Sequence, residues 1–100
     1  GATRAVALPQ VPTMSEAGLK GFVSETYFGL LGPARIQKTV VSRINAETVR
    51  QLGSDEVKTR FQNGGAVAAS STPEGFYKIQ VGEQARVRKI IQDIGIKPQY

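Results

Sequence analysis

Residues 22–31, FVSETYFGLL, form the stretch on which the predicted fold depends. β-Branched, aromatic and aliphatic residues dominate it, which is typical of a β-strand. From Tyr27 to Leu31 the apolar character is nearly continuous, as expected of a strand covered by helices on both faces. Gly32 and Pro33 end the stretch. The sequence therefore predicts one central strand with no visible neighbouring strand.

The residues after this strand predict a succession of helices with one further, weaker strand. Apolar residues at helical spacing, hydroxyl N-caps and glycine stops mark the boundaries of these elements. In chain order we expect an amphipathic helix over 36–52, a shorter helix after Ser54, an Ala-rich strand over 66–70, a helix over 72–95 and a tail over 96–100.

The residues before the strand predict one short helix over 12–18. Thr13 is its expected N-cap, and Glu16, three residues later, is placed to complete a capping box. Gly18 is placed to end the helix in a left-handed conformation. Both ends of this short element are therefore marked by the sequence.

The predicted order, short α-β-α-α-β-α, indicates the α/β class. Two strands are too few for an independent sheet, so we expect a small sheet completed by missing sequence or by a second copy of the chain. Helices would pack on this sheet. A length of 100 residues limits the chain to a single modest core.

Composition removes several classes of function. The chain has no cysteine and no histidine, which excludes disulfides, thiolate metal sites and Ser-His-Asp triads built from this chain alone. No residue is assigned a catalytic or metal-binding role, and no cofactor is expected. No apolar run approaches the roughly 20 residues of a membrane span. No signal peptide is recognised at the start of the sequence.

The net charge of +5 raises the possibility of nucleic-acid binding. The basic residues are scattered, however, and residues 86–89, RVRK, form their one cluster. A solvated helix face is the ordinary explanation of such a cluster, and attraction of anions or docking of a partner is the alternative. We expect no nucleic-acid partner; if one existed, its binding would fall steeply with salt.

Four motifs in register resemble the extracytoplasmic receptors of tripartite tricarboxylate transporters, also called the Bug family. The resemblance runs from Leu8 to Lys97, nearly the whole chain. The motifs are LPQVPTMSEAG at 8–18, YFGLLGPA at 27–34, IN at 44–45, and GGA at 64–66 with STPE at 71–74, closed by GIK at 95–97.

This resemblance implies a two-lobed periplasmic α/β receptor that closes on a small organic acid, often a carboxylate, and delivers it to membrane transporter subunits. It implies no enzymatic activity. Residues 1–26 would form the end of the second lobe and a linker, and 27–100 the C-terminal part of the first lobe. The chain would then contribute scaffold and hinge, while most ligand contacts would come from elsewhere in the receptor.

Thr13, Tyr27, Phe28 and Gly29 are the candidate residues for a ligand cleft or hinge. Thr13 precedes a helix N-terminus that could attract a carboxylate, although a capping box would already satisfy its N–H groups. The other three residues lie where the family's chain crosses between lobes, although aromatic residues there are equally explained by core packing.

A different class of function is a small interaction domain with no ligand of its own. An unpaired apolar strand edge invites pairing with another copy, by dimerisation or by exchange of strands. The two hypotheses are compatible, because a receptor fragment lacking its partner lobe would expose the same edge.

Overall fold

Three α-helices account for the regular structure of residues 1–97, the part of the chain that the computed structural model describes. Helix α1 spans Lys38–Leu52, α2 spans Asp55–Asn63 and α3 spans Pro73–Ile94. All three agree closely with the helices predicted from sequence. The predicted tail over 96–100 ends in residues 98–100, which lie outside the described range.

Local capping explains where the second and third helices begin and end. The Ser54 hydroxyl accepts a hydrogen bond from the Val57 N–H at 3.4 Å, and the Thr72 hydroxyl accepts one from the Gly75 N–H at 3.0 Å. Gly95 ends α3 at φ 70°, a left-handed conformation that glycine adopts without steric cost. These boundaries are therefore determined by residues within a few positions of each helix end.

The predicted short helix over 12–18 is a single turn instead. The Ala17 N–H donates to the Thr13 carbonyl at 2.9 Å, and the Leu19 N–H donates to the Met14 carbonyl at 3.0 Å. Gly18, at φ 115°, reverses the chain between them. A helix needs several consecutive bonds to offset the cost of its first turn, and here the chain leaves the helical path after one.

The predicted α/β class is wrong: the regular structure of residues 1–97 is entirely helical, with no strand or sheet. Both expected strands, 22–31 and 66–70, lack regular structure. A strand requires a second chain segment to accept and donate its ladder hydrogen bonds, and no described segment does so for either. High β-propensity alone cannot replace that partner. Phe28 is 87% exposed, so the two-sided burial expected of a central strand is also absent.

The packed part of the molecule lies where α1 meets α2 and the start of α3. Residues from these elements are half-buried, whereas no side chain in residues 1–97 is fully buried. The half-buried set on and around these helices comprises Ile36, Val41, Asn45, Thr48, Leu52, Ser54, Val57, Ala68, Ser71, Gly75, Phe76 and Glu83. The radius of gyration is 16.9 Å, above the about 13 Å typical of a compact 100-residue domain.

One side chain ties α1 to the segment that leads into α3. The Asn45 amide nitrogen donates to the Ser71 carbonyl at 3.0 Å, in a part-buried position and across 26 residues of sequence. Because Thr72 is the N-cap of α3, this bond holds the start of α3 against the side of α1. A long-range polar contact thus sets the relative placement of two helices that local capping alone would leave independent.

Replacing Asn45 with alanine should separate α3 from α1. The half-buried Ser71 carbonyl would lose its donor, and we expect the free energy of unfolding to fall by about 1–2 kcal/mol. Urea unfolding followed by circular dichroism measures the change. Asn63→Ala, at the exposed end of α2, is the matched control and should have little effect. Equal midpoints for the two variants would contradict the assignment.

Candidate functional site

The Thr13 turn forms a reciprocal capping box. The Thr13 hydroxyl accepts a hydrogen bond from the Glu16 N–H at 3.1 Å, and a Glu16 carboxylate oxygen accepts one from the Thr13 N–H at 2.9 Å. The Thr13 and Glu16 amides are therefore already bonded within the turn. The geometry matches the capping alternative for Thr13, and its contact with a ligand stays a prediction.

Arg4 neutralises the acidic side of this turn. Its Nε lies 2.8 Å from a Glu16 carboxylate oxygen, and its Nη1 donates to the Pro9 carbonyl at 3.1 Å. The backbone hydrogen bond from Thr13, followed by the hydrogen bond from Arg4, lowers the pKa of Glu16 below its usual 4.5. The Glu16 carboxylate is thus bonded by both the Thr13 N–H and the Arg4 guanidinium.

Tyr27 and Glu25 form a second polar group at the start of the predicted hinge. The Tyr27 hydroxyl donates to one Glu25 carboxylate oxygen at 3.2 Å, and the other accepts from the Ala2 N–H at 3.2 Å. The hydrogen bond to Glu25 is the main reason that the pKa of Tyr27 is raised. Phe28, the next residue, is almost fully exposed.

The N-terminal residues connect the two predicted sites. Ala2 bonds to Glu25 beside Tyr27, while Arg4 bonds to Glu16 beside Thr13. Among the described hydrogen bonds, none runs directly from the Thr13 turn to residues 27–29. The structure therefore places Thr13 and the Tyr27 segment in separate groups that residues 2–4 bridge.

Gly29 contacts a residue that the sequence did not single out. A Cβ atom added to Gly29 would lie 2.5 Å from Cε1 of Phe76, closer still to its Cζ, and 3.2 Å from its Cε2. The ring thus occupies the space that any side chain at position 29 would need. From the sequence alone, Phe76 is simply one apolar residue of the helix predicted over 72–95. A glycine within an apolar segment was the available signal, because it often marks close approach of another group.

The basic cluster at 86–89 is partly neutralised within its own helix. Arg86 pairs with Glu83, and Lys89 Nζ lies 2.8 Å from an Asp93 carboxylate oxygen. The pairing with Arg86 lowers the pKa of Glu83. Such pairs on an exposed helix face match the ordinary explanation of the cluster, a solvated surface.

Two kinds of feature, a cluster of metal ligands and a membrane-spanning helix, are absent from the described part of the chain. Residues 1–97 contain no group of three His, Cys, Asp or Glu side chains placed to hold a metal ion. Within the same range, no helix combines the length and the apolar character needed to cross a bilayer.

Comparison with known proteins finds one family model, described as the tripartite tricarboxylate transporter family receptor, which matches residues 1–96. No solved structure matches the chain.

Two curated relatives are similar to the chain over most of its length. The UPF0065 protein in the tcbD-tcbE intergenic region of a Pseudomonas species is 34% identical over 85 residues, covering 84% of this chain and 25% of that protein. Protein BugT of Bordetella pertussis is 27% identical over 94 residues, covering 94% of this chain and 29% of BugT. The chain thus spans between a quarter and a third of the length of these relatives.

The Thr13 turn should weaken in acid. Ionised Glu16 accepts the Thr13 N–H, so this contribution to stability is fully present above pH 4.5 and is lost as the pH falls through the lowered pKa. The chemical shift of the Thr13 amide proton, followed by NMR from pH 7 to pH 2, should change with a midpoint below 4.5. In Glu16→Gln the shift should stay flat over this range. A midpoint at or above 4.5 would contradict the geometry.

Proposed function

The chain belongs to the family of tripartite tricarboxylate transporter receptors, and we propose that it is the C-terminal part of an extracytoplasmic receptor for a small organic acid. The family resemblance predicted from the four sequence motifs is confirmed by the match over residues 1–96. The expected lack of enzymatic activity is confirmed as well, because the family consists of receptors and not of enzymes.

The observation that carries the proposal is the extent of the family match. Residues 1–96 match the family model, whereas the chain spans only 25% and 29% of its two curated relatives. A segment of this size contributes part of a receptor, and the ligand cleft would also need residues outside it. The receptor would act in the periplasm and deliver its ligand to the membrane subunits of a tripartite transporter.

A carboxylate ligand is supported by charge and by the family's description. The chain carries a net charge of +5, which favours the approach of anions. We place the boundary between the end of the second lobe, residues 1–26, and the C-terminal part of the first lobe, residues 27–100, just before Tyr27. Residues 27–29 would then serve as hinge or cleft wall, and the helices after them as scaffold.

A second candidate function is self-association without a ligand. Its support is the amount of apolar surface that the described residues leave uncovered, since no side chain in residues 1–97 is fully buried. Phe28, Leu30 and Leu31 are each more than 70% exposed, and they lie within four consecutive positions of the sequence. A contiguous apolar surface of this kind favours association with another protein surface, including a second copy.

A chimeric receptor tests the scaffold role and the ligand class together. We would replace the region of BugT that aligns with this chain by residues 1–96 and measure its thermal unfolding with millimolar citrate, malate or succinate. A bound carboxylate at 100 times its Kd should stabilise the folded receptor by about 2.7 kcal/mol, which raises the midpoint by several degrees.

Two controls make the chimera decisive. Sorbitol at the same concentration reports on uncharged polyols, and BugT truncated before the exchanged region reports on whether this segment is needed for folding. A folded chimera that no carboxylate stabilises, although intact BugT responds to one of them, would contradict the proposed ligand class. A chimera that behaves like the truncated protein would contradict the scaffold role.

The mass of the 100-residue chain in solution tests the second candidate. Light scattering coupled to size exclusion should give a mass above 10.8 kDa that rises with concentration if exposed apolar surface drives association. Phe28→Ser should lower the assembled fraction, whereas Phe61→Ser, on α2, serves as a control at a less exposed apolar residue. A monomer at every concentration would exclude self-association.

A further inference from the structure

Gly29 is required for space rather than for backbone conformation. The glycines with positive φ are Gly18, Gly21, Gly65 and Gly95, and Gly29 is not among them. Any other residue could therefore adopt the backbone conformation at position 29. What opposes a side chain is the Phe76 ring, because an added Cβ would lie within 3.0 Å of it and the ring would have to shift.

Glu83 and Arg86 of α3 give a second indication of how the Tyr27–Gly29 segment is placed relative to this helix. Phe76 and Glu83 are seven residues, or about two helical turns, apart and so share a face of α3. Both are half-buried in a helix that is otherwise mostly exposed. The charges of Glu83 and Arg86 act on the Tyr27 hydroxyl, whose pKa is raised mainly by Glu25. Gly29 thus faces the first turn of α3, and the Tyr27 hydroxyl is within electrostatic range of charges two to three turns further along the helix.

Phe76 is itself held in place through α1. Its N–H donates to the Thr72 carbonyl at 3.0 Å, in the first turn of α3. Ser71, just before the Thr72 cap, accepts the hydrogen bond from Asn45 of α1. A continuous set of contacts therefore runs from α1 through the start of α3 to the ring that covers Gly29.

We propose that Phe76 is a positioning residue, whose ring seats Gly29 and so holds the Tyr27–Gly29 segment on α3. The segment, α1 and the start of α3 then move as one unit. The inference rests on the proposed function in one respect, the assignment of residues 27–29 to a hinge or cleft wall. In a receptor that closes on its ligand, displacement of this segment would be carried directly to the helices.

NMR of the 100-residue chain, without ligand, reads the contact. The Phe76 ring should shift the Gly29 proton signals away from their random-coil positions. Phe76→Leu keeps an apolar side chain but removes the ring current, so the Gly29 signals should move back toward random coil.

A double-mutant cycle tests whether the ring is the cause. Gly29→Ala should lower the midpoint of thermal unfolding by roughly 5–10 °C, because the methyl group and the ring compete for one space. In a Phe76→Ala background the same substitution should cost little, since the space is then empty. Gly82→Ala is the matched control: nothing lies within 4 Å of its added Cβ, and alanine favours the helix.

The outcomes separate this inference from the proposed function. Ring-shifted Gly29 signals together with rescue in the double variant support it. Random-coil Gly29 signals in the unmodified chain, or an equal cost of Gly29→Ala in both backgrounds, overturn it. If Gly29→Ala alone does not fold, recovery of folding in the double variant supports the proposal and continued failure overturns it. Each result is obtained without carboxylate. The inference about Phe76 can therefore fail while the receptor assignment stands, and the receptor assignment can fail while the inference about Phe76 stands.

Discussion

The hydrogen bond from Asn45 to the Ser71 carbonyl is the interaction on which the arrangement of helices depends. It is part-buried, so water competes with it less than with the exposed ion pairs elsewhere on the chain. Exposed pairs such as Glu47 with Arg50 each contribute at most about 1 kcal/mol and act within a single helix. The Asn45 bond joins α1 to the segment that leads into α3, and Phe76, whose ring lies over Gly29, is in the first turn of that helix.

The balance between local and long-range interactions explains the open form of the chain. Each helix has good local reasons to form, including hydroxyl caps, a proline in the first turn of α3 and a left-handed glycine at its end. Burial of apolar side chains, normally the largest favourable contribution to folding, is incomplete throughout residues 1–97. A molecule with this balance keeps its secondary structure through local interactions and its tertiary arrangement through a few specific contacts.

The function proposed for this chain depends on position rather than on chemistry. The polar groups around Thr13 and Tyr27 are already bonded to neighbouring residues, and the basic cluster on α3 is largely paired within its own helix. This suits a segment that supports a receptor and transmits movement within it. The proposed roles of Gly29 and Phe76 belong to the same description, because they concern where the Tyr27–Gly29 segment lies and which elements move with it.

The sequence by itself determined the three helices, the capping box at Thr13 and the family, because each depends on residues close together or on motifs in a fixed order. It did not determine the conformation of residues 22–31, whose high β-propensity predicted a central strand. Only the tertiary structure decided that this segment has no ladder partner and that Gly29 faces the Phe76 ring. The physical reason is that strand pairing and ring packing require residues distant in sequence to meet, and local preference does not specify which ones do.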